Sequence, residues 1–248
     1  MSTVIRSIPI VFFSITSQVY IMPTKTDMKL SDKTVSLLKN FSTINQSILF
    51  KQGSFLRTIS VMKNILAEAT VDEDFPKDFG IYDLTQFLNG LSLHQDPELD
   101  FTNESYVRIS EGKMRSKYFF SDPNVIIVPP EKPISLPSTD VSFELKTQQL
   151  DRLLKAAAVY QLPDLSVDGE AGVVKMVVRD KKNDTSNDFS IVVGETENEF
   201  NFNFKVENIK ILPGTYEVSI SQKLLSEFKS KDRNLKYFIA LEPDSKFG

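Results

Sequence analysis

The stretch Leu30–Ile44 returns in kind at Leu145–Tyr160, and that recurrence narrows the folds open to the chain. At about 100° of helical turn per residue, Leu30, Thr34, Leu37, Leu38 and Phe41 share one arc. Lys29, Asp32, Lys33, Ser36, Lys39 and Asn40 take the other. Ser31 can cap the start, because its hydroxyl accepts an orphan backbone N–H. In the second stretch Leu150, Leu153, Leu154 and Ala157 make the apolar stripe, while Gln148, Arg152 and Lys155 lie off it. Leu37-Leu38-Lys39 reappears as Leu153-Leu154-Lys155, and Lys117-Tyr118-Phe119 reappears as Lys236-Tyr237-Phe238. The two echoes keep one order and nearly one spacing, which predicts two copies of a unit of about 110 residues. Three-residue matches also arise by chance, so the duplication stands here as an expectation.

A chain of 248 residues can form one large domain or two ordinary ones. Its 41% hydrophobic and 25% charged shares are those of a globular protein. It has no cysteine, which removes disulfides, thiolate metal sites and cysteine nucleophiles and fits a reducing compartment. The net charge is −4 and the pI about 5.2. A protein that grips nucleic acid by bulk charge is normally basic, so any DNA contact here needs its cations gathered on one surface.

Residues 1–27 differ in character from the rest of the chain. Ile8–Tyr20 is mostly apolar, with Arg6 before it and Pro23 after it. It is too short and too interrupted for a good membrane span. The preferred reading is an upstream extension, with Met28 as the functional start; the competing one is a secretory signal. Strands are expected over Ser47–Lys51, Phe55–Ser60, Ile65–Val71, Phe79–Tyr82, Leu99–Thr102, Val107–Ser110 and Met114–Phe120. Asp83 can cap a second helix, Leu84–Leu93.

Ser121–Ser138 holds five of the twelve prolines. Proline disfavours both helix and ladder, so an extended connector and a domain boundary belong there. The apolar run Val125–Val128 within it is either a packed strand or part of a partner-docking site. The second half repeats the order. Strands are expected at Val141–Leu145, Asp164–Val167, Val173–Arg179, Phe189–Val193, Phe200–Val206, Tyr216–Ile220 and Leu235–Leu241. A polar hairpin is expected at Lys181–Asp188, a turn at Pro213-Gly214, and a last helix at Gln222–Ser230, with Lys223 and Lys229 outward.

Catalytic chemistry is hard to find. His94 is the only histidine and reads as a surface loop residue. Asp72, Glu73 and Asp74 read as a solvated turn. Nine glycines include no phosphate-binding loop, and no Ser/His/Asp arrangement is supported. No metal and no cofactor is expected, and the chain is not expected to be an enzyme.

Taken together the parts resemble a DNA sliding clamp. The resemblance is to the DNA polymerase processivity clamps of T-even-type tailed bacteriophages, similar in architecture to proliferating cell nuclear antigen. It rests on Met28–Ser31, Leu37–Phe41 with Thr43-Ile44-Asn45, Ile81–Leu84, Leu91–Leu93, and Lys132-Pro133-Ile134 with Pro137. It continues through Asn198–Phe202, Asn208-Ile209-Lys210, Pro213-Gly214-Thr215-Tyr216, and Ala240-Leu241-Glu242 with Asp244-Ser245. Residues 1–27 have no counterpart in it.

The resemblance implies an α+β fold of two similar clamp domains, 28–122 and 139–248, joined by 123–138. It implies a closed homotrimeric ring with sheets outside and short helices inside. Lys29, Lys33, Lys39, Arg152, Lys155, Lys223 and Lys229 would then face duplex phosphates, independently of base sequence. The second helix has no Lys or Arg and is a weaker lining element. Val125, Ile126, Ile127, Val128, Leu241 and Pro243 are the expected partner-docking residues. The implied partners are double-stranded DNA, the replicative polymerase, an ATP-dependent clamp loader and the late-transcription machinery, with no membrane, in the cytoplasm of an infected bacterial host. An acidic ring is consistent with this, because linkage holds it on DNA and a weak grip lets it slide. The rival reading is a secreted or surface β-rich binding protein that keeps residues 1–27 as its signal.

Overall fold

The computed structural model describes residues 27–248. The expected extension, Asp27 apart, lies outside the described residues.

The first half begins with β1 (Asp27–Met28), α1 (Asp32–Ile44), β2 (Ile48–Phe50), β3 (Gly53–Ile59), β4 (Ile65–Phe75) and β5 (Phe79–Ile81). It ends with α2 (Leu84–Leu91), β6 (Glu98–Asp100), β7 (Tyr106–Glu111) and β8 (Met114–Phe119). The second half begins with β9 (Val141–Leu145), α3 (Thr147–Tyr160), β10 (Asp164–Glu170), β11 (Val173–Arg179), β12 (Phe189–Glu195) and β13 (Phe200–Lys205). A 3-10 turn, Val206–Asn208, precedes β14 (Tyr216–Ser221), β15 (Leu225–Ser230), β16 (Leu235–Ala240) and the terminal β17 (Lys246–Phe247).

The halves carry one plan. In the first, β1, β6, β7 and β8 pair in that order; in the second, β9, β14, β15 and β16 do. The pairs β2–β5 and β3–β4 return as β10–β13 and β11–β12. The Val206–Asn208 turn stands where the first half has α2. The tripeptide echo is therefore structural: Lys117-Tyr118-Phe119 and Lys236-Tyr237-Phe238 lie on the corresponding strands β8 and β16.

The halves fuse through their sheets. β4 pairs antiparallel with β16, from Ile65 opposite Ile239 to Ala69 opposite Leu235. This makes one six-stranded sheet in the order β3-β4-β16-β15-β14-β9. All strand pairings are antiparallel, and the helices bury their apolar stripes against one face.

Each helix forms for a legible reason. Ser31 Oγ accepts from Thr34 N at 3.3 Å, and Asp83 Oδ1 accepts from Gln86 N at 2.8 Å, as N-caps do. On α1 the buried residues are Thr34, Leu37, Leu38, Phe41 and Ile44. On α3 they are Leu150, Leu153 and Ala157.

Four expectations are corrected. No helix covers Gln222–Ser230: Leu224 takes a left-handed φ of 63° in a turn, and β15 follows. Leu224, Leu225 and Phe228 fit a helical face, but Ser226, Phe228 and Ser230 also alternate at the strand period. In so short a run the neighbours decide, and β15 is zipped between β14 and β16. The second half therefore has one α-helix among the described residues, where two were expected. Asp72–Asp74 lies inside β4 and not in a turn, with Glu73 buried. His94 follows α2 in a loop, but its side chain is only 4% exposed, with Nδ1 3.8 Å from a Glu111 carboxylate oxygen.

Leu153 is fully buried in the main core. Leu153→Ala is expected to cost about 2–5 kcal/mol, because truncation leaves a cavity under α3. Urea denaturation of the full chain measures it, and a loss under about half a kcal/mol would mean that α3 packs by another face.

Candidate nucleic-acid interface

The exposed side of α1 carries Asp32, Lys33, Ser36 and Lys39; that of α3 carries Gln148, Asp151, Arg152 and Lys155. Lys33, Lys39, Arg152 and Lys155 form no ion pair among the described residues. They are long cations on rigid rods with nothing of opposite sign holding them. The outer side of α2 is neutral, with Thr85, Gln86 and Asn89 exposed.

Buried polar contacts fix how α1 sits. Glu73 reaches from β4 beneath its N-terminus and accepts from Ser31 N and Thr34 Oγ1, each at 2.5 Å. An anion there also meets the positive end of the helix dipole. Burial alone would raise the Glu73 carboxyl; the bonds from Ser31 and Thr34 outweigh it and hold the group below the usual glutamate value.

At the other end α1 is tied to the second half of the chain. Asn40 Nδ2 donates to the Lys210 carbonyl at 3.0 Å, and Lys210 Nζ donates to the Thr43 carbonyl at 2.8 Å. Tyr237 OH donates to Asn40 Oδ1 at 2.7 Å and accepts from Leu212 N at 3.2 Å. Burial pushes the Tyr237 phenol well above its ordinary range, so it stays a donor. This network sets the angle of α1 against the six-stranded sheet.

Residues 29–128 match the family described as DNA polymerase processivity factor, and residues 142–243 match gp45 sliding clamp, C terminal. The sliding clamp of Vibrio phage KVP40 is 34% identical over 222 residues, covering 87% of this chain and 99% of that one. The sliding clamp of Escherichia phage RB69 is 32% identical over 227 residues, covering 88% and 98%. The chain belongs to the sliding-clamp family of DNA polymerase processivity factors. Solved structures agree in fold. Proliferating cellular nuclear antigen from Entamoeba histolytica superposes with a TM-score of 0.66 at 14% identity, covering 87% of this chain and 98% of that one. The DNA polymerase III β subunit sliding clamp from Bartonella birtlesii gives 0.65 at 13% identity, covering 88% and 65%. Nothing in these likenesses supports a secreted binding protein. Among the described residues no helix is long and apolar enough to cross a membrane, and no group of three or more His, Cys, Asp or Glu could hold a metal ion.

The clamp fold distributes the expected DNA-facing residues unevenly. Lys33 and Lys39 lie on α1, and Arg152 and Lys155 on α3. Lys29 precedes α1 and is bound to Asp96, with Glu98 at 3.8 Å; the Asp96 bond holds its ammonium above the ordinary lysine value. Lys223 is in the turn before β15, and Lys229 is on β15 itself. On that strand Phe228 faces the core against Phe204, so Lys229 points to the opposite face, away from the core that α1 and α3 bury into. The reason for placing both lysines in the bore was the helix, and the helix is absent. Lys146, which the sequence reading did not single out, is also exposed immediately before α3.

The expected docking residues also divide. Val125, Ile127 and Val128 are exposed in the connector, whereas Ile126 is buried. Ile126 packs so closely on Gly80 that a Cβ there would lie 2.6 Å from its Cδ1. Leu241 is buried and Pro243 exposed. The connector is strapped to the sheet: Arg57 Nη1 donates to the Pro130 carbonyl at 2.7 Å, and Ile134, like Leu225, packs on the cluster of Ile59, Leu66 and Phe238. Leu225 pairs with Ala240, so the strap and the C-terminal segment meet on one face.

Glu73→Gln is expected to destabilise the clamp by about 1.5–3 kcal/mol at neutral pH, the worth of hydrogen bonds to a charged group. The folded carboxyl titrates lower than the unfolded one. Its contribution is therefore complete above about pH 4.3 and disappears as pH falls through the folded value. The Tm gap between wild type and Glu73→Gln should be widest near neutrality and close in acid; a gap independent of pH would contradict the assignment.

Proposed function

We propose that three copies of this clamp close head to tail into a ring around duplex DNA and tether the replicative polymerase to it. The observation that carries this reading is the β4–β16 seam. By the repeated plan, β12 is the counterpart of β4 and β8 the counterpart of β16. Among the described residues, β12 and β8 each end a sheet with a free edge. Pairing β12 of one copy with β8 of the next repeats the internal seam, and a heterologous contact that repeats gives a ring when the rotation from copy to copy closes, as three copies of a two-unit chain would.

The edges suit each other. Phe119 on β8 is 65% exposed and Val192 on β12 is 55% exposed, which is costly on an unpaired strand. β8 and its turn carry Lys113, Arg115 and Lys117; Glu195 ends β12, and Asp188 and Glu197 flank it.

Two units per copy, 28–122 and 139–248 around the 123–138 connector, then give six units around the bore. Lys33, Lys39, Arg152 and Lys155 face phosphates loosely, through water, and no base is read. Lys29 adds little because Asp96 and Glu98 hold its charge. The ring needs no catalytic group; it acts by topology. The polymerase, an ATP-driven clamp loader and the late-transcription machinery dock outside, with Val125, Ile127, Val128 and Pro243 as contacts, in the cytoplasm of an infected bacterium. Such segments insert apolar anchors into a pocket.

Phe119→Asp with Val192→Asp, which sets like charges on both edges of the seam, should leave the fold intact and convert trimers to monomers by light scattering; a trimer that survives both changes would rule out this edge pairing. Arg152→Glu with Lys155→Glu should leave folding stability within about 1 kcal/mol of wild type but cut loader-dependent synthesis on primed DNA about tenfold or more. Synthesis at the wild-type rate would take these cations out of the bore.

A further inference from the structure

The face of the six-stranded sheet that points away from the core carries one unbroken row of charge. Arg57, Glu68, Lys236, Lys229, Glu217 and Glu144 stand side by side across all six strands. Most of the row is satisfied. Arg57 Nη2 lies 2.7 Å and Lys236 Nζ 3.2 Å from the buried Glu68 carboxylate, and Lys231 bonds Glu144. Lys229 and Glu217 are the exceptions: they stand directly opposite each other on β15 and β14, and neither forms an ion pair among the described residues. On its other side Lys229 stands opposite Lys236, and like charges in directly opposed positions repel. Arg233, in the β15–β16 hairpin, is likewise unpaired among the described residues.

These cations border a hollow of about 90 Å³ whose lining includes Phe55, Thr70, Lys229, Arg233 and Lys236, with Glu68 as its one carboxylate. Phe55 is 49% exposed there, a large apolar ring next to unneutralised charge. The hollow lies two rows along the strands from the apolar cluster that Ile134 of the connector covers, with the charged row between them.

We infer that this shelf binds an acidic, extended segment of a partner protein, with an apolar side chain seated on Phe55 and carboxylates on Lys229 and Arg233. Charge complementarity selects the occupant. An anionic segment relieves the Lys229–Lys236 repulsion, and a ring offers its contact area without competing for charge. A nucleic acid fits less well: the cations are gathered at the hollow, and a continuous phosphate backbone would have to run on past Glu217, Glu227 and Asp232, whereas a short segment can keep its carboxylates on Lys229 and Arg233. The inference rests on the proposed ring only in taking this face as the outside. It adds a second contact to the connector site, and it gives Lys229 a purpose that the bore does not.

The test uses the full chain and a fluorescein-labelled peptide of about a dozen residues alternating Glu with Leu, with a Lys-for-Glu peptide and a single-stranded oligonucleotide as comparison probes. Fluorescence anisotropy should show the acidic peptide bound, the Lys peptide unbound, and affinity falling between about 50 and about 300 mM salt. Lys229→Glu with Arg233→Glu should weaken the acidic peptide about fivefold or more, and Phe55→Ser should do so independently. Both are exposed changes, so an unaltered Tm is expected and is checked alongside. The inference is overturned if the acidic peptide does not bind, or if the variants bind it like wild type. It is also overturned if Val128→Ser in the connector abolishes binding while the shelf variants do not, or if the oligonucleotide binds more tightly and is the probe that the variants lose. Light scattering on the same samples reads the ring separately, so a monomeric particle would remove the ring while the anisotropy still decides the shelf.

Discussion

Backbone pairing between β4 and β16 is the joint on which the molecule depends. Without it each half would present a sheet with an open edge, and the six-stranded sheet would be two smaller ones. The pairing buries Ile65, Ala67 and Ala69 of one half against Leu235, Tyr237 and Ile239 of the other in a single core. It also fixes the angle between the halves, because hydrogen-bonded strands have little freedom to rotate once their register is set. Every longer-range feature depends on that angle, including the position of α1 against the Lys210–Leu212 segment.

The same joint explains why a protein of net charge −4 can serve DNA. Charge is sorted by face rather than by total. The helix faces carry Lys33, Lys39, Arg152 and Lys155, unpaired among the described residues, whereas on the far side of the sheet Arg57 and Lys236 pair with Glu68 and Lys231 pairs with Glu144. A ring held by topology needs few phosphate contacts, and fewer contacts mean a shallower salt dependence and freer sliding. Buried polar groups act as fasteners for this sorting. Glu73 holds the start of α1, and the Asn40–Tyr237 contact holds its other side to the second half.

Much of this was legible in residue order. Leu37, Leu38 and Phe41 recur at helical spacing, Ser31 and Asp83 are capping residues in the right places, and Val173–Arg179 is a strand with the bounds the sequence suggests. The failures share one cause. Gln222–Ser230 fits two periods, and only its neighbours β14 and β16 choose the strand. Glu73 looks solvated beside Asp72 and Asp74, yet alternation along β4 turns it inward to partners 39 and 42 residues away. His94 looks exposed in a loop, and its burial depends on Glu111 and Ser116 arriving from β7 and β8. A local reading does not see a partner that is distant in sequence.

The sequence by itself determined the amphipathic stripes of the first helices, their caps, many of the strands and the proline-rich segment between them; it set the repeat as an expectation, and the likeness to a clamp came as a resemblance resting on matched segments. The stripes, caps and proline-rich segment live in periodicity, capping and composition, which short stretches encode alone. Only the tertiary structure decided which lysines share the helix side and which face away, where the halves fuse, and which edges stay open. Sheet order and register arise from pairing between strands far apart in the chain, and a one-residue change in strand phase sends a side chain to the opposite face.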